Sequence, residues 1–271
     1  MKRILVTVIV ALMSTGAVSA AEQPVSRMVV FGNSYSSPGS IKWPAQLQAA
    51  GEARSVVNLA VGGSTAGSYS SKNFAQQLQR RPASRAGDVT VVYHGYNDAT
   101  WAGTAPSKYP GNARVLADYK AGLARLVSSG YTGSGRRLLV VLGHDWAKVP
   151  RYATGDARYA APVVHSTMLA LNSGMAAAGR AVGAAVVDLY TAMECVFRNP
   201  TKFGFTNTRN MAPSPSAKGY LYGYNDRYHF GAAGQKLISR VVGYYLGAGN
   251  VSPARLVSDM AAGRVLGVPC S

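Results

Sequence analysis

The chain has 271 residues, 48% hydrophobic and 14% charged, which is enough to bury a substantial core and too apolar for disorder. It carries 28 Lys and Arg against 11 Asp and Glu, a formal net charge of +17. The basic residues lie singly or in pairs such as Arg80-Arg81 and Arg136-Arg137, with no zinc-finger spacing and no RNA-binding signature. Nucleic acid is therefore not an expected partner; the basic residues read first as a solvated surface, with attraction to an anionic surface such as lipid headgroups or cell-wall polymers as the alternative.

Residues 1–21 read as a cleavable signal peptide. Lys2 and Arg3 form a basic start, Ile4 to Met13 is a short apolar run, and Val18-Ser19-Ala20-Ala21 offers small residues for cleavage. No later stretch is apolar for the length a bilayer requires, so no transmembrane segment is expected. The mature protein is expected to be secreted or periplasmic, and a monomer.

Beyond this segment, strand and helix alternate. Arg27–Phe31, Ser55–Asn58, Asp88–Tyr93, Arg137–Leu142 and Ala184–Asp188 are continuous, β-branched runs bounded by Gly, Asn or Asp, the pattern of strands buried on both faces. Helical patterns lie between them at Trp43–Ala50, Tyr69–Arg80, Asn112–Ser129 and Pro162–Ala178, with another at Ala232–Leu246. Strand starts recur at about the length of a βαβ unit. The expected fold is α/β: a doubly wound, mostly parallel five-stranded sheet with helices on both faces, a flavodoxin-like three-layer sandwich. Residues 22–250 form the expected domain, and 251–271 a C-terminal tail packed on it.

Gly95–Gly111 and Phe203–Asn225 interrupt the alternation and read as long loops. In such folds these line the site at the strand C-termini. Their aromatics, Tyr96, Trp101, Phe203 and Phe205, are expected either to shape a substrate pocket or to fill a small core of their own. The two cysteines, Cys195 and Cys270, are too few for a thiolate zinc site. In an oxidising compartment they are expected to bridge and pin a tail that has few large apolar groups.

No cofactor is expected. There is no HExxH, no GxGxxG after a strand, and Gly62–Gly67 lacks the Lys-Ser/Thr of a phosphate loop. A nucleophilic Ser needs a base, and the base needs an orienting acid. His165 has no acid close in sequence, and the side chains of adjacent His144 and Asp145 point apart. His94 and Asp98 share the loop after the third strand. Asp226-Arg227-Tyr228-His229 places acid and imidazole where one turn presents both. Two serines follow strands, Ser34 after the first and Ser64 after the second. Ser34 is the better placed, because the topological switch point usually falls beside the first strand.

Taken together these residues resemble the GDSL, or SGNH, hydrolase family. Phe31-Gly32-Asn33-Ser34-Tyr35-Ser36 is similar to its first block, Asn58 to Gly63 to the second, Gly95-Tyr96-Asn97-Asp98 to the third, and Asp226-x-x-His229 to the fifth, in the family's order. Asp188-Leu189-Tyr190 and the stretch Asn199 to Asn207 resemble its esterase- and lipase-like branch. The resemblance implies Ser34 as nucleophile, His229 as base, Asp226 as its orienting acid, and an oxyanion hole from the N–H groups of Ser34 and Gly63 and the amide of Asn97. It implies hydrolysis of a carboxylic ester through an acyl-enzyme, the substrate being a lipid, a phospholipid or an acetylated polysaccharide. Acyl transfer to an alcohol is the neighbouring reaction, and a catalytically silent, basic surface-binding protein is the alternative of another class. Asn33 for the family's Asp, Tyr35 for Leu and Phe230 after the histidine depart from the pattern and put substrate shape in doubt rather than reaction type.

Overall fold

The computed structural model describes residues 24–150 and 161–270. The expected signal peptide lies outside them. Five strands, β1 (Arg27–Gly32), β2 (Val56–Asn58), β3 (Asp88–Tyr93), β4 (Arg137–Val141) and β5 (Ala185–Val187), form an all-parallel sheet in the order β2-β1-β3-β4-β5. Every residue of β1 and β3 is buried, as their unbroken apolar runs require of strands covered on both faces. The charged exceptions are at one end. Asp88 opens β3 in register with Arg27 of β1, and Arg27 Nε donates to the Asp88 carboxylate at 3.1 Å. Burial pushes the Asp88 carboxyl up, but the guanidinium and the Arg85 N–H outweigh it and hold the group below the usual range.

Around the sheet lie α1 (Trp43–Ala49), α2 (Phe74–Gln79), α3 (Tyr96–Thr104), α4 (Asn112–Ser128), α5 (Ala161–Ala181), α6 (Leu189–Arg198), α7 (Ala232–Ala248) and α8 (Pro253–Ala261). The helix expected from Tyr69 starts only at Phe74, because the Asn73 side chain accepts the Gln76 N–H and caps it there.

Both expected loops contain regular structure. Gly95–Gly111 holds α3 and a short 3-10 turn at Pro106–Lys108. The Gly- and Thr-containing sequence of α3 is a weak helix former. Tertiary contacts select the helix: Gly95 takes the left-handed φ of 101° that starts it, and Tyr96, Asp98, Ala99 and Ala102 are buried. Phe203–Asn225 holds β6 (Asn207–Ala212) and β7 (Tyr220–Tyr224), a second two-stranded sheet with an irregular register that no simple alternation announces.

The tail is held by more than its cysteine. After Asn250 it forms the amphipathic α8, capped by Ser252, and buries Leu256, Met260, Val265 and Leu266. Cys270 is joined to Cys195 of α6, which is fully buried.

Candidate active site

The chain runs outward from β1 to β2 on one side and returns to β3 on the other, so the switch point lies at the C-terminal end of β1. Ser34 stands two residues past that end. Gly32 fits this crossing because a Cβ there would meet the Tyr93 carbonyl at 2.8 Å. Asn33 turns the chain, its side-chain oxygen accepting the Tyr35 N–H at 3.0 Å.

Asp226 and His229 sit at the tip of a hairpin-like return from β7. The Gly223 N–H donates to the His229 carbonyl at 3.1 Å and the Gly231 N–H to Leu221 at 2.9 Å. Asn225 takes the left-handed φ of 52° at the turn. One oxygen of Asp226 accepts the N–H groups of Tyr228 and His229 at 2.9 and 3.0 Å, an Asx turn that fixes the carboxylate under the imidazole. The two Asp226 oxygens lie 2.9 and 2.8 Å from His229 Nδ1, and His229 Nε2 lies 2.6 Å from Ser34 Oγ. Burial alone would raise the Asp226 carboxyl. The hydrogen bond and charge of His229, with the two backbone donors, outweigh burial and keep it below the ordinary value. The carboxylate therefore stays ionised, which favours the His229 tautomer with its proton on Nδ1 and Nε2 free to accept from Ser34.

The other two residues come from the neighbouring strand ends. Gly63 follows β2 with a φ of 79° in open space, so glycine is required there for conformation rather than for room. A Cβ on adjacent Gly62 would stand 3.9 Å from that of Ser34, which places this loop against the serine. Asn97, in the first turn of α3, donates from Nδ2 to the Ser64 carbonyl at 2.8 Å. Ser64 itself is fully buried and accepts from Gln77 Nε2 at 2.7 Å, so it is a strut and not a nucleophile.

Three further residues hold this arrangement, of which only Gln77 lies outside the motifs. Gln77 of α2 behaves like a strand backbone: it accepts the Gly32 N–H at 2.9 Å and donates to the Gly32 carbonyl at 2.8 Å as well as to Ser64. An amide between Phe74 and Leu78 on the inward face of an amphipathic helix was its sequence signal. Asp98 is buried and accepts the N–H groups of Ala66 and Gly67 at 2.8 and 3.1 Å and the Tyr69 hydroxyl at 3.2 Å. Burial raises its carboxyl to about 6, although these donors pull the other way. Tyr35 donates its hydroxyl to the Tyr228 carbonyl and lays its ring edge-on to His229, with centroids 5.1 Å apart.

The remaining histidines divide. His94 and His144 are fully buried, and burial lowers both to about 3, so they stay neutral. His165 does find an acid across sequence, with Nδ1 3.0 Å from Asp145. Of the loop aromatics, Tyr96 is buried between Tyr35 and Trp146, and Phe205 is buried, so these two belong to the core and do not shape a pocket. Trp101 is half-buried against Tyr69 and Phe203 half-buried against the core.

The family model of the GDSL-like lipases and acylhydrolases matches residues 30–237, which contain all of these groups. The chain belongs to that family. No curated protein matches it. Among solved structures it is similar to a phospholipase A1 from Streptomyces albidoflavus (16% identity, TM-score 0.51, covering 80% of this chain and 98% of that one). It is also similar to a variant acetyl xylan esterase from Geobacillus stearothermophilus (16%, 0.53, 84% and 98%) and to a lipolytic G-D-S-L protein from Veillonella parvula (11%, 0.52, 80% and 96%). At these identities the likeness is one of fold, and the five-stranded parallel sheet is that of the GDSL hydrolases. Among the described residues no helix is long and apolar enough to cross a membrane.

Proposed function

We propose that this GDSL hydrolase is an exported serine esterase acting on carboxylic esters. The observation that carries the reading is the unbroken chain from the Asp226 carboxylate through His229 to Ser34 Oγ, with a closing contact of 2.6 Å. His229 Nε2 takes the Ser34 proton as Oγ attacks the ester carbonyl. It then gives that proton to the leaving alcohol, and water repeats the cycle on the acyl-enzyme. Asp226 stabilises the imidazolium. The N–H groups of Ser34 and Gly63 and the Asn97 amide are the donors for the oxyanion, each worth about 3–4 kcal/mol in the transition state. Tyr35 replaces the family's leucine as a wall behind His229 and limits the imidazole's rotation. The chemistry calls on side chains, backbone N–H groups and water. The basic, apolar start of the chain and the Cys195–Cys270 pair support export to an oxidising compartment. The test is hydrolysis of p-nitrophenyl esters of increasing acyl length by the wild type and Ser34→Ala. Turnover lost with the hydroxyl supports the reading, and equal turnover by the two proteins sinks it.

A further inference from the structure

The residues that flank Ser34 and His229 in the chain are bonded to each other. Tyr35, next after Ser34, donates its hydroxyl to the carbonyl of Tyr228, the residue before His229. That carbonyl shares a peptide group with the His229 N–H, which donates to Asp226 Oδ1 at 3.0 Å. One peptide group therefore accepts from the phenol on one side and donates to the acid on the other. With the Asp226–His229 and His229–Ser34 contacts, the path closes on itself through the Ser34–Tyr35 backbone.

The phenol is held firmly enough to transmit position. Tyr35 is fully buried, its ring edge-on to Tyr96, His144 and Phe230 at centroid distances of 5.1, 5.0 and 5.7 Å. The turn it stands on is fixed as well: its own N–H goes to Asn33, and Ser37 Oγ donates to the Ser34 carbonyl at 3.0 Å. Burial raises the phenol well above its ordinary pKa, so it stays a donor. Packing behind His229 needs only the ring. A phenylalanine would supply that with no buried hydroxyl to satisfy, and the leucine of the GDSL pattern donates nothing.

Hydrogen bonds in series polarise one another. The phenol proton on the Tyr228 carbonyl makes the His229 N–H a stronger donor to Asp226, and it ties the 226–229 turn to the residue beside Ser34. The demand on that turn is greatest in the transition state, when His229 carries the Ser34 proton and its charge is balanced by Asp226. We propose that Tyr35 is a positioning residue: its hydroxyl is a latch that aligns the Tyr228–His229 peptide, and through it Asp226 and His229, with Ser34. The hydroxyl keeps its proton throughout the reaction. This rests on the esterase reading and adds a residue to the machinery that reading names.

The experiment measures kcat and KM for p-nitrophenyl butyrate, with melting temperatures, for the wild type, Tyr35→Phe, Tyr35→Leu and Tyr131→Phe. Tyr131 lies between α4 and β4 and donates its hydroxyl to the Pro82 carbonyl, a bond of the same kind away from the triad. Both phenylalanine variants should melt lower than the wild type. Tyr35→Phe should lose about tenfold in kcat, the rate equivalent of one hydrogen bond, with KM unchanged. Tyr35→Leu should lose at least as much, and Tyr131→Phe should keep its kcat. A kcat for Tyr35→Phe within about twofold of the wild type, a loss confined to KM, or an equal loss in Tyr131→Phe overturns the latch and leaves the esterase standing. A wild type that does not cleave the ester overturns both.

Discussion

Cutting the Cys195–Cys270 bridge should cost this protein stability and leave its chemistry alone, and the structure indicates how much. The bonded residues are 75 apart in sequence. Closing a loop of that length removes about 4.5 kcal/mol of chain entropy from the unfolded state at 25 °C. The full figure applies only if the tail stays docked without the bond. Its own Leu256, Met260, Val265 and Leu266 are buried, so it has other reasons to stay. The better variant is Cys270→Ser, since Cys195 is fully buried and a hydroxyl there would add its own desolvation penalty of about 1–3 kcal/mol. At about 2–4 °C per kcal/mol for a domain of this size, the melting temperature should fall by about 9–18 °C. Thermal melts of the wild type and Cys270→Ser, each with and without reductant, check this, with ester turnover measured alongside at 25 °C. A fall of less than about 3 °C, or turnover lost while the variant is still folded, would refute the reasoning.

Ser34→Ala should lower ester kcat by at least about a thousandfold with an unchanged melting temperature, whereas Ser64→Ala should keep most of it, the reverse result moving the nucleophile to the wrong strand. Asp98 gives a pH signature. Its folded carboxyl titrates at about 6 and an unfolded one near 3.9, so between these values the folded state alone holds the proton. Stability must then fall as pH rises through that window, by about 3 kcal/mol for this group. Asp98→Asn should escape that fall and gain on the wild type in melts from pH 4 to pH 7; a constant difference between the two would count against it. A methyl group at position 143 would stand 2.0 Å from the buried Trp146 ring, so Gly143→Ala should destabilise by about 3 kcal/mol in urea unfolding.

The sheet was legible because β1, β3 and β4 are fully or almost fully buried and each carries a mostly apolar run behind one charged residue, as strands covered on both faces must. Ser34, Asp226 and His229 were legible because local spacing and strand ends place them. What could not be read was long-range. Asn97 and Asp98 sit on a helix that local propensity argues against, and the bonds that hold it run to Ala66 and Gly67, about thirty residues earlier. Gln77 looked like an ordinary polar residue of α2 until its amide was found completing the edge of β1. What anchors the tail was hard to read because Leu256 and Met260 become one apolar face only when α8 forms, and Val265 and Leu266 are buried beyond its end.

The Cys195–Cys270 bond also gives the chain a covalent circuit whose contents matter. Ser34, Gly63 and Asn97 precede the ring, while Asp226 and His229 lie within it. A protease that cuts after the exposed Lys218 opens the backbone between Ser34 and His229, yet the segment from Gly219 onward stays bonded through Cys270 to Cys195. The nicked molecule remains one molecule, with Asp226 and His229 held beside Ser34 by the same hairpin and helix contacts. Separating Ser34 from His229 takes a cut and a reductant together.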